Sequence, residues 1–275
     1  MDSRRKWAAC SLALAGLLVF YFLILPGILK KQAVRLISQG SPDVSVAMES
    51  ASPSLPAGIR LGNVVITLKS GKTVEIRKLD IQARLLKLMG GKLSLAVNSS
   101  LYDGRLKGAI NFFRCFSTSG PFAAHFAFED IKAGDCKLLS FGRQLTGKLS
   151  GNIDFAGDTG NALQGEGGMQ VRIINGMLPL APNSMGLELL AFESLEAEAA
   201  LGEGILKVNR LELKDKAASG EFQGQVKIDG NAPENSEFQL QGYLTFSFDP
   251  GRRHAARLLG TYANPALDIM REERG

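Results

Sequence analysis

Side chains that carry chemistry are scarce in this chain. Its 275 residues include three cysteines, two histidines and one tryptophan. Two histidines as far apart as His125 and His254 do not make a ligand cluster, and no cysteine pair has zinc-site spacing, so neither a metal nor a cofactor is expected. No nucleophile motif supports a Ser-His-Asp or Cys-His arrangement. His125, beside Phe126 in an alternating stretch, reads as a half-exposed strand residue, because a general base needs positioned partners. Gly165-Glu166-Gly167-Gly168 lacks the Lys-Ser/Thr of a phosphate loop and opens no helix. The acidic group Glu193, Glu196 and Glu198 reads as a solvated face. No catalytic residue is assigned, and the chain reads as something other than an enzyme.

An excess of basic charge is also missing from most of the chain. The net charge is +5. Residues 1–35 hold Arg4, Arg5, Lys6, Lys30, Lys31 and Arg35 against Asp2 alone, which accounts for all of it. The remainder is neutral, with no basic stripe interleaved with aromatics, and nucleic-acid binding is disfavoured. The short basic run 252–257 (RRHAAR) reads as the solvated start of a helix. The competing use is contact with anionic headgroups or an acidic partner.

What the N-terminal end does have is one long apolar run. Trp7 to Leu25 carries no charge and is about 28 Å long as a helix, close to the hydrocarbon thickness of a bilayer. A cleavable signal peptide is the competing reading. It needs a shorter apolar region followed by small residues, whereas this run ends in Phe-Tyr-Phe-Leu-Ile-Leu-Pro. The cues favour an uncleaved single span over residues 1–30. Basic residues tie across its two ends, so charge alone does not orient it. Residues 31–58 form the juxtamembrane segment, with an amphipathic helix over 28–39 and then a Gly/Pro-punctuated linker in which Val44 to Val46 is a short strand. Residues 59–275 are the main domain. An oxidising compartment permits a Cys115–Cys136 disulfide, and two separate half-buried thiols are the alternative.

The main domain alternates apolar and polar residues with period two, as strands with one buried face do. One template recurs: GKLSGNIDFAG (147–157), GEFQGQVKIDG (220–230) and, over nine positions, GRLKGAINF (104–112). Further strands are expected over 59–69, 73–83, 93–97, 122–128 and 240–248. Short helical corners are expected at 84–89, closed by Gly90-Gly91, at 135–145 and at 183–192. Asp103-Gly104 and Asn175-Gly176 read as hairpin turns. Leu206 and Val208, then Leu211 and Leu213, change parity as a bulge would require.

The fold class is therefore mainly β: an anchor helix followed by an elongated antiparallel sheet with short helical corners. Gly108, Gly151 and Gly224 sit on the apolar parity between large residues. Bending every strand at one level, they would curve the sheet into a half-pipe with an apolar inner face. The alternative is a β-sandwich whose glycines accommodate facing side chains. A candidate apolar groove comprises Leu106, Ile110, Phe112, Phe126, Leu149, Ile153, Phe155, Phe222, Val226, Ile228, Leu244 and Phe246.

The order of these features resembles the AsmA-like superfamily of bacterial envelope proteins. The residues that carry the resemblance are the N-terminal anchor, LDIQARLLKLMGGKLSLAVNSSLYDGRLKG (79–108) and the recurring G-x-L-x-G-x-I strands. SEFQLQGYLTF (236–246) and LLGTYANPALDI (258–269) look most like the family of protein N of the type II (general) secretion pathway. The resemblance covers most of residues 59–269. It implies an inner-membrane anchor, a periplasmic β domain, no catalytic residues and subunits of the secretion machinery as partners. The alternative it implies is handling of phospholipid on the apolar groove, as in lipid-transfer relatives. A third reading is a scaffold whose groove is filled by its own loops.

Overall fold

The computed structural model describes residues 44–68, 71–114, 120–136, 145–179, 189–229, 235–261 and 264–269. The expected anchor (1–30), the helix over 28–39, Cys115 and the segments 137–144 and 183–188 lie outside the described residues. Among the described residues no helix is long and apolar enough to cross a membrane.

Alternation governs nearly everything that is described. Fourteen strands form a single antiparallel sheet: β1 (Val44–Ser54), β2 (Gly58–Leu68), β3 (Thr73–Ala83), β4 (Leu93–Leu101), β5 (Gly104–Phe112), β6 (Pro121–Lys132), β7 (Thr146–Asp158), β8 (Asn161–Pro179), β9 (Leu189–Gly202), β10 (Ile205–Lys214), β11 (Ala218–Lys227), β12 (Glu237–Phe246), β13 (Asp249–Thr261) and β14 (Asn264–Ile269). Spatial order equals chain order, so each inner strand pairs with its predecessor and its successor, and among the described residues β1 and β14 are the edges. The three template copies are β5, β7 and β11. The sheet begins at Val44, inside the segment expected to be a linker, because β1 pairs with β2 along its whole length.

Outside the sheet, the described residues form only α1 (Leu85–Met89) and a 3-10 turn (Ala133–Asp135). The corner at 84–89 is as expected. Gly90 and Lys92 donate backbone hydrogen bonds to the Lys87 carbonyl, and Gly91 takes a φ of +72° to end the helix. The parity change in β10 is also as expected, with register shifts between Val208 and Leu211.

Other expectations are corrected. RRHAAR lies within β13, not at a helix start, because Ala256 and Leu258 take the buried parity opposite Gly242 and Leu240. Cross-strand packing there overrides the helix propensity of alanine and arginine. Leu189 to Phe192, expected at the end of a helical corner, open β9 instead. Asn175-Gly176 is not a hairpin: β8 runs through it, and Asn175 takes a φ of +52° at a register shift against β7. The β4–β5 turn is made by Tyr102 and Asp103, with φ of +48° and +60°, while Gly104 is already in β5.

Burial follows the pleat. In β11, Ala218, Phe222 and Val226 are buried, whereas Ser219, Glu221, Gln223, Gln225 and Lys227 are exposed. The buried residues of one face gather in three clusters. One spans β9 to β14 around Leu240 and Leu244, one is built on Ala133, Leu145, Ile173, Phe192 and Leu213, and one covers β1 and β2 with Met48, Ala51, Leu61 and Val64. Each fully buried large side chain contributes about 1.5–3 kcal/mol relative to leaving it in water. No second layer of described residues lies over this face, so its side chains bury one another.

Candidate functional site: the apolar face

Direct cross-strand partners share a face, so register shows which side chains stand in line. One row starts at Ala51 and continues through Leu61, Leu79, Ser99, Leu106, Phe128 and Gly151. It proceeds through Val171, Ala197, Leu211, Phe222, Gly242 and Ala256 to Ile269. A second row runs beside it from Pro53 through Ile59, Ile81, Val97, Gly108, Phe126 and Ile153. It then passes Met169, Ala199, Val208, Gly224, Leu240 and Leu258 to Leu267. Both rows cross every strand, and Ser99 is the one polar residue in either. At ~4.8 Å per strand the band they form is about 60 Å long from edge to edge.

The proposed groove residues fall on this face in two patches. Leu106, Ile110, Phe112, Phe126, Leu149, Ile153 and Phe155 are neighbours on β5 to β7, and Phe122 links Phe112 and Phe155 with ring centroids at 6.2 and 5.6 Å. Phe222, Val226, Leu244 and Phe246 lie together on β11 and β12. Ile228 stands beyond the end of β11, where its N–H donates to the Gly204 carbonyl and closes the β9–β10 hairpin against the β11 end. Between the patches, Met169, Val171, Ala197, Ala199, Val208 and Leu211 complete the band. Their alternation is visible in MQVRI and LEAEAAL, but small alanines make a weak signal.

The two patches differ in access. Phe222, Val226, Leu244 and Phe246 are buried, Leu244 to 1% exposure. Of the proposed groove residues on β5 to β7 only Phe112 is, whereas Leu106, Ile110, Phe126, Leu149 and Phe155 are half-buried and Ile153 is 37% exposed; Phe128 and Ile131 beside them on β6 are buried. Among the proposed groove residues the accessible ones are therefore those on β5–β7, and those on β11–β12 are core.

The glycines serve close packing as well as shape. A Cβ on Gly108 would collide with the Phe126 ring and the His125 carbonyl; one on Gly151 would sit 2.9 Å from the Phe128 ring and 3.0 Å from Val171 Cα. The Phe192 ring lies against Gly176 in the same way, whereas a Cβ on Gly242 would meet backbone, the Glu221 carbonyl and the Phe222 Cα. Gly108 and Gly224 occupy one row and Gly151 the next, so the template glycines do not stand at a single level. Gly224 alone of the three needs glycine for its backbone, at φ +151°.

The opposite face is polar. His125 Nδ1 lies 2.6 Å from Asp154 Oδ1, its direct cross-strand partner, and both side chains are more than half exposed. They line an open depression of about 780 Å³ with Asn111, Glu166 and Lys207, and its described lining holds no Ser, Thr, Cys or Tyr. Among the described residues no group of three or more His, Cys, Asp or Glu could hold a metal. His254 faces the apolar side, edge-on to Phe246 at 5.5 Å, with Nε2 3.7 Å from Asp249. Cys136 carries a free, half-buried thiol.

At the β4–β5 turn, Asp103 meets Lys132 Nζ at 2.6 Å and Arg77 Nη1 at 2.8 Å. The Lys132 hydrogen bond and charge, with Arg77 behind them, hold the Asp103 carboxyl below its ordinary range, and Asp103 in turn raises Lys132. Next to it the Tyr102 hydroxyl accepts the Glu75 N–H at 3.1 Å, and burial pushes the phenol up.

These features define a class: a single-layer, fourteen-strand antiparallel meander with one continuous apolar face and one charged face. No protein-family model matches the chain, and neither a curated protein nor a solved structure does.

Proposed function

We propose that this is a non-enzymatic envelope protein, anchored in the inner membrane through residues 1–30 with its sheet in the periplasm, acting in association with the type II secretion machinery. The resemblance over residues 59–269 supports the setting. The observation that carries the mode of action is the pair of apolar rows, interrupted only at Ser99, that reach both edges of the sheet. An apolar surface of that extent calls for an apolar partner, because soluble surfaces rarely leave large contiguous patches uncovered. Curled into a half-pipe, the sheet would hold this face on the inside.

A second reading is handling of phospholipid. The accessible β5–β7 sector favours it, since Ile153, Phe126 and Ile110 offer acyl chains a surface without a hydrogen-bonding group. The test is gentle detergent extraction of the intact chain from its native membrane, followed by identification of what copurifies. Secretion-machinery subunits in fixed proportion support the first reading. Phospholipid well above that carried by an unrelated single-span protein supports the second. Recovery of neither leaves a scaffold whose apolar face is filled by its own loops. The topology has its own check: protease added to spheroplasts should digest the sheet domain, and protection, or a mature N-terminus beyond Pro26, overturns the anchor.

A further inference from the structure

The geometry points to a second copy of this chain as the partner of the β1 edge, joined through an antiparallel β1–β1 pair about a two-fold axis. β1 ends the sheet and runs for eleven residues, Val44–Ser54, with Glu49 as its one charge and no lysine or arginine. Long edges without basic residues are the ones that pair with further strands. The other edge is shorter: β14 has six residues, and each edge carries one proline and one acid, Pro53 and Glu49 on β1 and Pro265 and Asp268 on β14, so length separates them.

What selects a second copy is an irregularity in β1. Met48 and Ala51 are both buried on the apolar face, although three residues apart, so one residue is inserted at Glu49. β2 carries the same insertion at Asn63, with a φ of +49°, between Leu61 and Val64, and the two insertions stand in one row. A strand added outside β1 has to repeat that insertion, or its faces go out of step beyond it. The regular alternation of Leu267 and Ile269 on β14 does not supply one. β1 of a second copy does.

The fit is self-complementary. With the axis between Glu49 and Ser50, Met48 meets Ala51 of the second copy and Val46 meets Pro53. On the polar face Ala47 meets Ser52 and Ser45 meets Ser54, while each Glu49 lies opposite a serine. Shifting the axis to lie between Met48 and Glu49 would set the acid against the methionine. The apolar rows then continue from one copy into the next, because a two-fold axis perpendicular to a sheet keeps each face on its own side. This pairing does not depend on what the apolar face carries.

The test uses the full-length chain in detergent, with Cys10, Cys115 and Cys136 replaced by serine. Sedimentation should give a mass of two chains. Ala47→Cys and Ser52→Cys proteins, prepared separately and mixed before mild oxidation, should form a disulfide-linked dimer. Either protein alone should not, since residues 47 and 47 of the two copies are five positions out of register, about 17 Å. Both positions are on the polar face, and retained β-sheet circular dichroism verifies folding. A one-chain mass at tens of micromolar overturns the proposal. So does a two-chain mass in which the mixture cross-links no more than the separate proteins, because the dimer then uses another surface.

Discussion

Asp103 shows how little a single exposed residue can be asked to do, and how to measure it. Its carboxylate ties the β4–β5 turn to Lys132 on β6 and to Arg77 on β3. Because its folded pKa is lowered, the stability it supplies is present above the ordinary carboxylate range and is lost as pH falls through the lowered value. Lys132 is raised, so its share is complete below the ordinary lysine range and fades as pH rises through the higher folded value. Asp103→Asn should therefore lower Tm near neutral pH by a small amount, since exposed pairs are weak. The difference from wild type should close as pH falls through the lowered carboxylate value, and in alkali it should narrow without closing, because Arg77 stays charged after Lys132 loses its proton. A gap in Tm that persists unchanged at acid pH would show that the carboxylate charge is not what the turn uses.

At the scale of elements, period-two alternation was enough to find β2, β3, β5, β7 and β11, because one face is buried and the other wet. The β10 insertion was legible for the same reason: Val208 and Leu211 are both apolar at a spacing no regular strand allows. Asn175-Gly176 misled because a dipeptide able to take positive φ serves a mid-strand irregularity as well as a turn. Only the partner strands show that Gly176 is there to admit Phe192. RRHAAR misled because two adjacent alanines, one buried and one half-buried, carry neither period clearly. Glycine roles were half legible, since the template marks the apolar parity but not the ring that covers it. Gly108→Ala should overpack the β5–β6 contact and destabilise by about 1–3 kcal/mol in chemical denaturation. Trimming the neighbour with Phe126→Leu should not restore the loss, because the His125 carbonyl is also in the way. Full recovery in the double variant would show that the glycine serves the ring alone.

For the whole molecule, sandwich and single sheet share the same strand pattern, and the sequence could not separate them. The difference lies in register, which makes one row of partners from Ala51 to Ile269. Which part of that face is open was equally out of reach, because Ile153 and Val226 hold equivalent places in the template. The structure separates them: Ile153 is 37% exposed and Val226 is 7% exposed within the β9–β14 cluster. The same substitution should therefore have opposite consequences. Val226→Asp puts a carboxylate among Leu206, Leu240 and Phe238, where burying a charge without a partner is costly, and should unfold the domain or cut several kcal/mol from its stability. Ile153→Asp keeps access to water, so the domain should stay folded, with Tm lowered by a few degrees. If acyl chains lie on the β5–β7 sector, this folded variant should lose bound lipid, because the charge stands where an acyl chain would lie. Thermal unfolding and lipid content of the two variants beside wild type decide the matter. A lipid-loaded wild type with a folded, lipid-free Ile153→Asp protein supports the lipid reading. A wild type without lipid, or an Ile153→Asp variant that is folded and still loaded, removes the β5–β7 sector as the acyl-chain site.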